Sequence, residues 1–137
     1  MWELSSSAQS TAGIVVLAAI TVTTGGHFLT RVVRGRVPAT DFQVAFFRAG
    51  HAHAGVLITL GLVCLLLTEA TDLRGTWEWL ARTGVLIAAI LMPAGFFLSA
   101  AGSGRTRPNG LIVLLWAGVA FLVAGLGTLG VGLLTGA

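Results

Sequence analysis

The chain contains no lysine and no tyrosine, a single cysteine, and only 9% charged residues in a length of 137. So little charge, together with 55% hydrophobic residues and a mean hydropathy of +0.93, excludes a soluble globular domain. Cys64 has no partner for an internal disulfide, and no Cys-x-x-Cys-His segment is present for covalent haem attachment. There is no P-loop, no Ser-His-Asp set and no carboxylate pair inside an apolar stretch, so nothing points to a hydrolase. No basic n-region precedes the first apolar stretch, which is expected to serve as its own insertion signal.

What is present is four long apolar runs. A membrane-crossing helix takes about 20 apolar residues, so four spans and short loops use the whole length. The runs lie at about 12–33, 42–67, 80–101 and 110–134, which predicts an all-α membrane protein, one four-transmembrane-helix bundle. All eight basic residues are arginines. Arg31, Arg34, Arg36, Arg105 and Arg107 fall around the first and third loops, and Arg74 alone falls in the second. These are topology signals and headgroup contacts rather than a nucleic-acid footprint. Positive loops stay cytoplasmic, so both termini are expected outside, with Trp2, Trp77 and Trp79 as a belt at the outer interface. The Gly-, Ala-, Val- and Arg-rich, lysine-free composition points to a high-GC bacterium, hence to an inner (cytoplasmic) membrane.

In the fourth run Gly118, Gly125 and Gly132 recur at every seventh position, with Gly127 and Gly130 between them. Such a stripe allows close helix approach within the bundle or between protomers; a glycine-lined pore is the other reading. Pro93 should bend the third run, because it removes one backbone donor.

The chemistry-bearing residues are the only three histidines, His27, His51 and His53. An ionisable side chain at membrane depth marks a site by default. The plainer reading is a neutral imidazole bonded to a carbonyl or threonine of a neighbouring helix. With the first loop centred between Arg36 and Ala39, an antiparallel hairpin puts His27 level with positions 47 to 51. That is within about one turn of His51 and about 8–12 Å below the cytoplasmic interface. His51 and His53, two residues apart, point about 160° away from each other on a regular helix. The three therefore do not make a compact zinc site; they suit two sites, or one ligand and one hydrogen-bonding residue. Phe47 and Phe96 are expected near this layer, and Arg48 is either an interface residue, an Asp41 partner or a cation for an anionic ligand edge. Met92 is either a ligand or a core residue.

Arg48-x-x-His51-x-His53-x-Gly55 at the start of a membrane helix resembles the haem-ligating helices of subunit I of the haem–copper oxidase and nitric-oxide reductase superfamily. The chain also resembles small four-span bacterial membrane proteins with similar His-x-His segments. The first resemblance covers about a dozen residues. It implies that His51 and His53 are axial-ligand candidates on opposite faces of one helix. The remaining histidines of that family and its cross-linked tyrosine are missing, so oxygen reduction at a copper–haem centre is not implied.

The expected function is thus a b-type haem protein for electron transfer or for haem or gas sensing. Haem b would lie between His27 and either His51 or His53, with Arg48, Phe47 and Phe96 around it. A homo-oligomer or a larger respiratory complex is the expected partner besides the bilayer, and no nucleic acid is. Two alternatives stand beside it. One is a small transporter or channel whose histidines bind a transition metal or relay protons, although no membrane-embedded carboxylate accompanies them. The other is an accessory membrane subunit without chemistry of its own.

Overall fold

A computed structural model describes residues 3–136; Trp2, one of the three tryptophans expected at the outer interface, lies outside them. Four α-helices follow one another: α1 (Ser6–Val33), α2 (Asp41–Thr68), α3 (Gly75–Ala100) and, after one 3₁₀ turn at Gly110–Ile112, α4 (Val113–Thr135). Each of the four, the last taken with its 3₁₀ turn, is long and apolar enough to cross a membrane. The chain is a multi-pass membrane protein of four helices, as its hydropathy predicts.

Two helices begin earlier than the apolar runs, because polar residues cap and fill their first turns. Ser5 caps α1, its side chain accepting from the Ala8 N–H, so the polar stretch 6–11 is already helical. Trp77, Glu78 and Trp79 belong to the first turn of α3 rather than to a loop, and the two tryptophans are exposed there. The turn after α1 is closed by Gly35 at φ +70°, with Arg36 N–H bonded to Arg31 O and Gly35 N–H to Val32 O. Only glycine takes that left-handed position without cost.

α3 sits in the middle and packs along its length on both α2 and α4. Glycines make the second contact close. Gly84 lies against Gly125, Gly118 against Met92, and Gly132 against Leu73 at the head of α3. The stripe at 118, 125 and 132 is therefore spent on packing inside the bundle, while nothing lies within 4 Å of a methyl group placed on Gly127 or Gly130. α1 is the outlier: its helix–helix contact is with α2 alone, and only Ala8 and Val32 of it are buried.

The helices run up and down, so the start of α1 and the end of α4 lie at one end with the 69–74 loop, and the arginine-rich loops lie at the other. At the first end α1 is held by a polar clasp. The Ser5 backbone N–H (2.9 Å) and hydroxyl (3.1 Å) donate to Glu69, whose carboxylate also takes Arg82 at 2.6 Å. Arg82 reaches Glu78 at 2.7 Å and Ser7 Oγ at 2.7 Å as well. The Ser5 N–H first, then its hydroxyl and the Arg82 guanidinium, hold the Glu69 carboxyl below its ordinary range, against burial, which pushes it up. A lowered carboxylate contributes stability that is complete above the unfolded-state value, about 4.3, and is lost as the pH falls through the lowered native value. Glu69→Gln should therefore lower the unfolding midpoint at pH 7 by an amount matching about 1.5–3 kcal/mol for charge-assisted bonds. The gap between variant and parent should narrow as the pH falls below the unfolded-state value and through the lowered native value; a gap that does not narrow on acidification would refute this account of the clasp.

Candidate functional site

Because α1 packs closely on α2 and touches α3 only toward its two ends, through Ser7–Arg82 and Phe28–Phe97, a space is left between the three. It is an open cavity of about 670 Å³, within the ordinary range for small-ligand sites. Along α1 it extends from Ile14 to Phe28, which at 1.5 Å per residue is about 21 Å. Its walls are nearly all apolar. The one ionisable side chain on them is His51.

His51 owes its place to two glycines. A methyl group at Gly25 would stand 3.4 Å from its Nδ1, and one at Gly26 would stand 3.3 Å from its Cε1 and 3.5 Å from its Nε2. The imidazole thus lies against bare backbone of α1, at the seam between the large cavity and a second, shallower groove on the far side of α2. Among the described residues His51 makes no hydrogen bond, and it is only half-buried. This is the unusual feature of the site: an imidazole at membrane depth, on an apolar wall, with neither nitrogen satisfied by the protein.

His53 is placed differently. Its Nδ1 lies 2.8 Å from the Ala49 carbonyl, one turn back on its own helix, and its ring lies 5.0 Å from that of Phe96 on α3. Donating from Nδ1 makes it the tautomer with a free Nε2 acceptor. It faces α3, whereas His51 faces α1, which is the divergence that two-residue spacing requires. His27 is one residue beyond Gly26 and so within a turn of His51 in depth, but its side chain is exposed on the outer side of α1. Among the described residues no three His, Cys, Asp or Glu side chains gather where they could hold a metal ion.

The aromatic residues expected near the histidines do cluster. Phe47 stacks on Phe97 (5.5 Å, 16°) and meets Phe28 edge-on, while Phe46 meets Phe96. Gly50 lets α2 approach this cluster, since a methyl there would come within 2.9 Å of Phe97. Of the cluster, Phe28 and Phe97 reach the cavity wall beside His51; Phe47 and Phe96 do not. Arg48 is exposed, forms no ion pair among the described residues and does not line the cavity, nor does any other arginine.

Two further polar features had no signal in the histidine pattern. Pro93 has no N–H, so the carbonyl of Ala89 lacks its helical donor, and both residues line the cavity. Thr21 and Thr24 also line it, but their hydroxyls already donate to Ala18 O (2.6 Å) and Thr21 O (2.5 Å). They offer acceptor lone pairs only. Gly25-Gly26 was the readable clue: a glycine pair inside a β-branched membrane helix marks a close approach, here by a ring.

For haem b the cavity offers one imidazole, His51, and two phenylalanine rings; it supplies neither a second axial histidine nor a cation for propionates. Comparisons of the chain with protein-family models, with curated protein sequences and with solved structures find no match.

Proposed function

We propose that this chain is a membrane-embedded binding protein for a small lipid-soluble molecule, admitted sideways from the bilayer between α1 and α3 and held at His51. One observation carries the reading: the His51 imidazole stands without a hydrogen-bond partner on the wall of an apolar cavity of about 670 Å³. Half-exposed to lipid rather than to water, the imidazole finds no partner there either, and an unsatisfied polar group in a bilayer is costly. A ligand that bonds the ring removes that cost, and its apolar remainder fills a space with no protein side chain in it. With the arginine-rich loops cytoplasmic, the site lies toward the inner leaflet of a bacterial inner membrane.

The experiment is purification in mild detergent, followed by organic extraction and mass spectrometry. The parent protein should carry a molecule that is depleted about tenfold or more in Ala54→Phe, which fills the cavity from α2, and in His51→Ala. Equal content in parent and Ala54→Phe would defeat the proposal. Haem b, the occupant the His-x-His segment suggests, would have His51 as its single ligand and no cation for its propionates, so these walls do not favour it. It requires a Soret band in the same sample that disappears in His51→Ala.

A further inference from the structure

The cavity is not uniform along its length. At the end nearer the arginine-rich loops it holds His51, Phe28, Phe97, Thr24 and Pro93. At the other end it is bounded by Ile14, Val15, Ala18, Ile58, Leu86 and Ile90, all aliphatic. A molecule matching that gradient has one compact polar head and one apolar tail, laid parallel to the helices. No arginine or lysine lines the walls, so the head is uncharged; a carboxylate or phosphate would be desolvated there without a cation. Phe28 and Phe97, packed edge-on against each other with centroids 6.4 Å apart and planes at 62°, border the head position. Those edges favour a flat ring over a bulky sugar or a bare hydroxyl.

The hydrogen-bonding inventory narrows the head further. His51 presents one N–H donor and one bare nitrogen, whichever tautomer it takes. Thr21 and Thr24 present acceptors only. A ring bearing oxygens that accept from His51 and, when protonated, donate to the other groups satisfies the set. Resting on the reading that the cavity binds a lipid-soluble molecule, we infer that its ligand is an isoprenoid quinone, seated head toward His51 and tail toward the aliphatic end, and bound more tightly as the quinol than as the quinone. The difference arises because only the quinol's hydroxyl protons can satisfy the bare His51 nitrogen or the Thr24 hydroxyl oxygen. One added neutral hydrogen bond corresponds to about a three- to tenfold difference in affinity.

The chain's three histidines make the test direct. The protein is labelled with 15N in its imidazoles, placed in nanodiscs of zwitterionic lipid, and titrated with ubiquinone-2, ubiquinol-2, laurate and geranylgeraniol. Expected is a saturable shift of the His51 resonance alone with the two quinone forms, about three- to tenfold tighter for the quinol and absent in Ala54→Phe. Assignment uses His27→Gln and His53→Gln, which leave the cavity walls intact. Laurate or geranylgeraniol matching the quinol in affinity and in the His51 shift would overturn the quinone inference while leaving the binding-protein reading standing. A quinone that binds without moving the His51 resonance, or moves it equally in Ala54→Phe, would overturn the inferred pose. If no probe moves the His51 resonance and extraction of the purified protein yields nothing that Ala54→Phe depletes, both readings fall together.

Discussion

Gly95→Ala should detach α4 from α3 and lower stability by about 1–3 kcal/mol or more, the range for forcing extra atoms into a closed contact. The methyl group would lie 2.7 Å from the Cα of Leu115, and the obstacle is backbone, which has no rotamer to yield. Gly84→Ala should act alike, since its methyl would stand 2.8 Å from the Gly125 Cα. Gly118→Ala should also destabilise, because behind the Met92 Cγ at 2.5 Å stands the Met92 backbone nitrogen at 2.9 Å. The controls sit on the same helix. Gly127→Ala and Gly130→Ala meet nothing within 4 Å and should leave stability unchanged or raise it by up to about 0.5–1 kcal/mol through helix propensity. Unfolding midpoints in mixed micelles across the five variants check the ranking; equal losses at 95 and 127 would show that α3 and α4 are not in contact here.

That contrast shows how far the sequence alone was legible. Four spans, their order and the packing role of Gly118, Gly125 and Gly132 follow from hydropathy and a seven-residue recurrence. Which glycines face α3 and which face lipid is a matter of helix rotation, and hydropathy is silent on it when every face is apolar. The same blindness governs the histidines. Spacing along one helix settles that His51 and His53 diverge, because 100° per residue is a fixed geometry. Spacing does not settle where α1 is rotated, so His27, level with His51 in depth, was expected to face it. Rotation instead presents Gly25 and Gly26 to the ring. The cavity itself is invisible in sequence, because it arises where the middle of α1 does not pack on α3. Polar anchoring was equally hidden: Ser5, Glu69 and Arg82 each look like ordinary interface residues until the fold brings positions 64 apart into one hydrogen bond.

Gln43 carries the second large effect, because it closes the arginine-rich end of the bundle. It is buried at the start of α2, in a capping box with Thr40: the Thr40 hydroxyl accepts from Gln43 N–H, and Gln43 Oε1 accepts from Thr40 N–H at 3.1 Å. Its amide nitrogen donates to two carbonyls at and just past the end of α3, Ala100 O at 2.9 Å and Gly102 O at 2.7 Å, while the Thr40 hydroxyl reaches Arg105 O. One side chain thus joins the first loop to the third, with every polar atom matched. Gln43→Leu keeps the volume but leaves Ala100 O buried without this donor and breaks the box. At about 1–3 kcal/mol for an unsatisfied group and about 1 kcal/mol for a cap, the loss should reach about 2–4 kcal/mol. Gln43→Glu should be worse at neutral pH, since it turns a carboxylate toward two carbonyl oxygens and offers no proton to either. Acidification should return part of that loss to Gln43→Glu, whose protonated form can donate once, and none to Gln43→Leu. If the two variants instead show equal midpoints at every pH, the amide is not bonded to those carbonyls, and the first and third loops are held together by some other contact.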